Sequence, residues 1–269
     1  VKSADAYAAA REAGRAALVG YLPAGFPSYD GCLEGLRALA DNGVDVVEIG
    51  LPYSDPVLDG PTIQAAAERS LRNGTRIRDV LRTVEATAAM GVAVVVMTYW
   101  NPVLAYGVER FAADLASAGG SGLITPDLIP DEAGEWLAVS ERHDLERVFL
   151  VAPSSTPARV AATTAACRGW VYAASTMGVT GARDATSSAA PALVERTRAT
   201  TDLPIGVGLG VSNGDQAAEV ASYADGVIVG SAMVRCLLDP VSLAAGVADL
   251  AALTADLARG VRTRTAVSP

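Results

Sequence analysis

Short runs of β-branched and other apolar residues alternate along the chain with longer Ala- and Arg-rich stretches of helical period. The apolar runs fall at 17–21, 45–49, 93–99, 122–125, 148–151, 171–174, 205–208 and 226–229. Most are apolar on both alternating faces, which suits strands of a parallel sheet covered by helices. Helical patterns lie between them at 28–41, 76–90, 108–118, 130–142, 157–167, 190–200 and 213–222, and another follows the last strand at about 240–257. This is the order of βα units. Eight units can close into a barrel or spread as a doubly wound sheet. The count of eight favours an α/β fold of the single (β/α)8 TIM-barrel type, and no dinucleotide-type Gly fingerprint follows the first strand. One extra N-terminal helix, 4–15, precedes the first strand and is placed to plug the barrel's bottom. No linker or low-complexity stretch divides residues 1–269, so one domain is expected.

The connections are asymmetric. Gly50-Leu51-Pro52-Tyr53-Ser54-Asp55-Pro56-Val57-Leu58-Asp59-Gly60-Pro61 follows the second strand, and a Gly- and Ser/Thr-rich segment, 175–189, follows the sixth. Both leave strand C-termini, where barrels of this kind keep their chemistry. Three prolines stiffen the first loop, whereas the composition of the second reads as a lid.

Composition narrows the chemistry. The 269 residues match one barrel of about 250. Although 51% are hydrophobic, no run approaches the roughly 20 residues of a membrane span. The first residues, Val1 to Asp5, lack a signal-peptide layout, so a soluble cytoplasmic protein is expected. A net charge of −9 argues against nucleic acid as partner. Cys32, Cys167 and Cys236 are widely separated and read as reduced. Lys2 is the only lysine and His143 the only histidine. A Schiff-base lysine, a histidine-rich metal centre and a Ser-His triad are therefore poor fits, and no metal site is expected. His143 follows a polar helical stretch and reads as a surface residue. Carboxylates, tyrosines and backbone amides are left to do the work.

Glu48 stands out in Val46-Val47-Glu48-Ile49-Gly50. Period-two alternation turns Val47 and Ile49 to the helix-covered side and Glu48 into the barrel mouth. A carboxyl group there is desolvated and fitted to exchange protons near neutrality, although a structural ion pair or a capping acceptor would use the same position. Asp55 and Asp59 follow in the Pro-rich loop. Asp59-Gly60 reads equally as a turn, or as a second carboxylate beside Glu48 around one small substrate. Gly206 to Gly210 and Gly230-Ser231 end the last two strands. Tight turns need such glycines, but so does a backbone cradle for phosphate, helped by a helix N-terminus beyond Gly230. Tyr21, Met97, Tyr99, Ile124 and Tyr172 fall near strand ends and read as core or as walls of an apolar pocket.

Val47-Glu48-Ile49-Gly50-Leu51-Pro52-Tyr53-Ser54-Asp55-Pro56, followed by Asp59-Gly60-Pro61-Thr62-Ile63-Gln64, resembles the signature of the tryptophan synthase α-subunit family. Gly178 to Gly181, Gly208 to Ser212 and Asp225 to Ala232 resemble further family segments in order. The resemblance spans essentially the whole chain. It implies cleavage of indole-3-glycerol phosphate to indole and glyceraldehyde-3-phosphate in tryptophan biosynthesis, with Glu48 and Asp59 catalytic. Tyr172, Thr180, Gly181, Gly210, Gly230 and Ser231 are then substrate contacts, and Tyr21, Met97 and Ile124 indole-pocket positions. The resemblance also implies a β-subunit partner in an α2β2 assembly, facing Pro52, Asp55 and Pro56. Pyridoxal phosphate would reside in that partner, with no cofactor in this chain. A non-catalytic barrel that only binds and activates a β-type partner is the alternative.

Overall fold

A computed structural model describes residues 1–174 and 189–263. Eight parallel strands close into a barrel in sequence order, the last pairing with the first. They are β1 Ala17–Pro23, β2 Val46–Gly50, β3 Ala93–Met97, β4 Gly122–Thr125, β5 Glu146–Val151, β6 Val171–Ala174, β7 Ile205–Gly208 and β8 Gly226–Val229. The described helices are α1 Ser3–Glu12, α2 Tyr29–Asp41, α3 Pro61–Arg72, α4 Ile77–Ala88, α5 Trp100–Tyr106, α6 Val108–Ser117, α7 Gly134–Arg142, α8 Pro157–Ala166, α9 Ala189–Arg198, α10 Gly214–Ala221, α11 Ser231–Leu238 and α12 Leu243–Arg262. No described helix is long and apolar enough to cross a membrane.

Strand alternation sorts the core into two parts. Val47, Ile49, Val94, Val96, Leu123, Val171, Val207 and Val227 point outward and pack under the helices. Val19, Val46, Val95, Ile124, Val148 and Ile228 point inward and fill the barrel. The expected plug is present: Tyr7 and Ala10 of α1 belong to the inner core. The Tyr7 ring lies 5.3 Å from that of Trp170, which is 5.9 Å from Tyr172. Gly206 and Gly226 make room for this plug, since a Cβ on either would sit within 2.5 Å of the Tyr7 hydroxyl.

Buried polar bonds hold the plug. Glu146 accepts from Ser3 Oγ and from the Ala4 amide (2.9 Å), and Trp170 Nε1 donates to Ser3 Oγ at 2.9 Å. Lys2 forms an ion pair with Asp144, so the N-terminus is anchored.

Several boundaries differ from the sequence pattern. Asp45 precedes β2 instead of beginning it: its carboxylate accepts from the Leu18 amide (2.8 Å) and from both terminal nitrogens of Arg15 (2.7 Å). Asp225 repeats the device before β8, accepting from the Ile205 amide (3.0 Å) and Arg198 (2.9 Å). A carboxylate held this way fixes the start of a neighbouring strand from outside the ladder. The stretch expected as one helix at 130–142 is a 3-10 turn, Pro130–Glu132, followed by α7. Helices α3 and α5 have no counterpart in the pattern. His143 closes α7 and bonds Glu109 through Nε2 at 2.6 Å, on the flank of the molecule.

Candidate active site at the strand C-termini

The C-terminal ends of the strands open into a cavity of about 500 Å³. Glu48, Asp59, Tyr21, Met97, Tyr172, Gly210, Gly230 and Ser231 all wall it. Residues from opposite ends of the chain are thus brought to one space.

Glu48 enters from β2, level with Tyr21 on β1 and Val95 on β3. It is 1% exposed, and its Oε2 has no hydrogen-bond partner among the described residues. Burial, and after it the charge of Asp59, raises its pKa from 4.5 to about 8. At neutral pH this carboxyl group holds its proton. Among the described residues it joins no ion pair and caps no helix.

Asp59 reaches the cavity from the loop after β2. Its Oδ1 accepts from the Tyr99 hydroxyl at 2.9 Å, and that same oxygen of Tyr99 accepts from the Leu58 amide at 2.9 Å. Burial raises the Asp59 pKa, while the Tyr99 bond pulls it down. The backbone carbonyl of Asp59 takes a further bond from Gln64 Nε2 at 2.7 Å, tying the loop to α3. Pro61 at the first position of α3 suits a helix start, because its missing N–H would have no helical partner.

Glycines shape the walls by close approach. A Cβ at Gly50 would lie 2.2 Å from the Tyr21 hydroxyl, and one at Gly208 2.6 Å from the Tyr172 hydroxyl. Both phenols therefore lie over strand ends that have no side chain. Gly210 adopts φ +69°, a backbone state that L-residues rarely take, and turns the chain after β7. Gly230 leads directly into α11, whose eight residues point an N-terminus at the cavity from Ser231. The turns after β7 and β8 thus present backbone amides and a helix dipole, a setting for an anion.

Not every sequence-derived position converges. Ile124 is wholly buried in the inner core, paired with Met97 and Val148, and is not among the residues walling the cavity. Thr180 and Gly181, and the loop expected at 175–189 except for Ala189, lie outside the described residues. In the loop after β2, Asp55 is exposed and Pro56 half-buried, whereas Pro52 is buried. Sequence reasoning misses Leu58, Ile63, Leu128, Ile129 and Arg159 as cavity residues. None of them carries a chemical signal of its own, and only barrel closure gathers them. The pattern marks Tyr99 as a bulky wall residue but not as the donor to Asp59.

The described residues contain no group of three or more His, Cys, Asp and Glu able to hold a metal ion. The chemistry on display is a buried protonated carboxyl, a second carboxylate on a stiff loop, aromatic walls and an amide-lined anion end. Together with the closed barrel, these define a (β/α)8 protein with two carboxyl groups in one partly apolar cavity at its strand C-termini, where enzymes of this fold keep their chemistry.

The comparisons with known proteins agree with that class and refine it. The family model for the tryptophan synthase alpha chain matches residues 7–261. The alpha chain of Nocardia farcinica is 61% identical over 265 residues, 98% of this chain and 97% of that protein. That of Mycobacterium tuberculosis (strain H37Ra) is 62% identical over 248 residues, 92% of this chain and 90% of that protein. A solved structure of Mycobacterium tuberculosis tryptophan synthase superposes with a TM-score of 0.91 at 58% identity, covering 97% of this chain and 98% of that one. A mutant α-subunit from Pyrococcus furiosus gives 0.83 at 30% identity, covering 90% and 98%. The chain belongs to the tryptophan synthase alpha chain family.

Proposed function

We propose that Glu48 and Asp59 carry out the reaction of this family, the retro-aldol cleavage of indole-3-glycerol phosphate to indole and glyceraldehyde-3-phosphate. The chain is then a carbon–carbon lyase of tryptophan biosynthesis. The observation that carries the assignment is Glu48, a fully buried carboxyl group in the cavity, with one oxygen that has no partner among the described residues and a pKa raised to about 8.

The steps follow from the placement of charge. The protonated Glu48 delivers its proton to C3 of the indole ring, which places positive charge on the ring and its N1–H. Asp59 stabilises that cation as an anion at short range. Glu48, now a carboxylate, removes the proton from the glycerol hydroxyl next to the breaking bond. The carbonyl forms, the C–C bond electrons return to the ring, and indole leaves. Glu48 finishes protonated, ready for another turn. No lysine is called on, in keeping with a chain whose only lysine is paired to Asp144 at the barrel's bottom.

The remaining assignments follow the same reading. Gly210, Gly230 and Ser231 bind the phosphate, with Gly181 and Thr180 added from the segment after β6. Tyr21, Met97 and Tyr172 enclose the indole and glycerol parts. Asp55 and Pro56 face a β subunit in an α2β2 assembly, and pyridoxal phosphate belongs to that partner. The chain acts as one barrel domain in the cytoplasm.

The test is indole release from indole-3-glycerol phosphate by wild type and Glu48→Gln, each with a β subunit. We expect wild type to turn over and the variant to lose at least about a hundredfold in kcat while still binding the substrate. A wild type that releases no indole with its cognate partner would return the chain to the activator reading.

A further inference from the structure

Among the described residues that wall the cavity, Arg159 is the only one with a cationic side chain, whereas Glu48 and Asp59 are acids. The protein as a whole carries −9. The turns after β7 and β8 offer amide dipoles but no full positive charge. The described part of this mouth therefore sets one full anion, Asp59, and one full cation, Arg159, before an arriving phosphate monoester.

Arg159 is built into position. It sits in the first turn of α8, where its amide donates to the capping Thr156 Oγ1 at 3.3 Å. The preceding segment is held from α9, because Arg196 donates to the carbonyls of Pro153 (3.3 Å) and Ser155 (3.4 Å). The Arg159 guanidinium itself donates from Nη1 to Asp131 Oδ2 at 2.5 Å, across the gap between the turn after β4 and α8. The two side chains are 44% and 67% exposed. An ion pair this open to water is weak. A dianion, with three acceptor oxygens, offers the guanidinium a stronger partner than one carboxylate does.

Resting on the reaction assigned above, we propose that Arg159 is a specificity-determining cation for the phosphate-bearing ligands of this cavity. Asp131 holds it at the mouth, and it turns to the phosphate ester as that ligand arrives. It favours the charged substrate and the triose phosphate product, and it is indifferent to neutral indole.

Steady-state kinetics of the αβ complex test this in both directions. Arg159→Gln is expected to raise KM for indole-3-glycerol phosphate about tenfold, with the loss falling on kcat/KM and not on kcat. In the reverse reaction KM for glyceraldehyde-3-phosphate rises by a similar factor while KM for indole holds. The dependence of KM on salt flattens. Arg159→Lys recovers most of the loss, and Asp131→Asn lowers KM by freeing the guanidinium. Unchanged KM values and salt slope in Arg159→Gln would overturn the proposal. So would an equal rise in KM for indole, which marks general damage to the cavity. If wild type itself released no indole, the assigned reaction would fail. Calorimetric titration with glyceraldehyde-3-phosphate would then still separate Arg159→Gln from wild type if the cation meets the phosphate, and its failure to do so would sink the proposal by itself.

Discussion

The hydroxyl of Tyr99, just beyond the end of β3, donates a hydrogen bond to Asp59 Oδ1 at 2.9 Å. The same oxygen accepts the Leu58 amide at 2.9 Å, so one phenol fixes both the loop after β2 and the carboxylate that the loop carries. The phenol is almost fully buried, and its ring lies 5.5 Å from that of Tyr53. Its bond opposes the effect of burial on Asp59 and keeps that group more acidic than its surroundings would.

Tyr99→Phe removes this bond and should raise the Asp59 pKa further. The rate requires Asp59 charged and Glu48 protonated, which gives a bell with its basic limb near pH 8. The variant's acid limb should move to higher pH while the basic limb stays, and kcat/KM should fall about tenfold, as expected for a lost bond to a charged group. The pH profile of indole release is the measurement. An acid limb that does not move would refute the coupling.

Glu48 also carries a cost in stability whose sign can be worked out. The folded state holds the Glu48 proton up to about pH 8, while the unfolded chain releases it near its ordinary 4.5. Between these values the folded state binds more protons, so stability falls as pH rises, by at most about 1.4 kcal/mol per pH unit from this one group. Glu48→Gln removes the effect. Urea unfolding across pH 5 to 8 should show the variant gaining on wild type as pH increases, and parallel curves would contradict the assigned burial.

Gly208→Ala places a Cβ 2.6 Å from the Tyr172 hydroxyl and about 3 Å from its ring. We expect a destabilisation of about 1–3 kcal/mol and a raised KM, because the phenol must leave its place on the cavity wall. Adding Tyr172→Phe removes the atom in closest contact and should restore part of the stability. A double-mutant cycle by thermal unfolding checks this, and additive effects would mean that the clash is relieved elsewhere.

Ser3→Ala removes the hydroxyl shared by Glu146 and Trp170 under the barrel. A buried acceptor and a buried indole N–H would each lose a partner, with an expected cost of about 1–3 kcal/mol. The midpoint of urea unfolding, followed by tryptophan fluorescence, should drop, whereas KM for substrate should hold because the plug lies at the opposite end of the barrel from the cavity.

Much of this protein is written locally. The eight strands are legible because a parallel barrel strand needs a short apolar run. The spans expected for β4, β6, β7 and β8 coincide with those observed. Glu48 can be pointed into the barrel from its own strand alone, because alternation is a property of five consecutive residues. Even the plug is visible as a helix left over before the first strand.

Other features have no local signal. Helix α3 turns Ile63, Ala66, Ala67 and Ser70 to the core, a stripe of helical spacing made mostly of small residues, and α5 has only seven residues with Val103 alone buried, so neither stands out from the loops beside it. Asp45 resembles the first residue of a strand, and only its bonds to Leu18 and Arg15 place it outside the ladder. Ile124 has the character of a pocket residue, yet strand stagger sets it in the filled core. The sequence by itself determined where the eight strands lie and which way their side chains face, since both depend on neighbours along the chain. Closure of the barrel decided the rest: the depth of each inward residue, the bond from Tyr99 to Asp59 across 40 positions, and the place of Arg159 at the mouth. These depend on how strands meet in three dimensions, and no spacing along a chain encodes that directly.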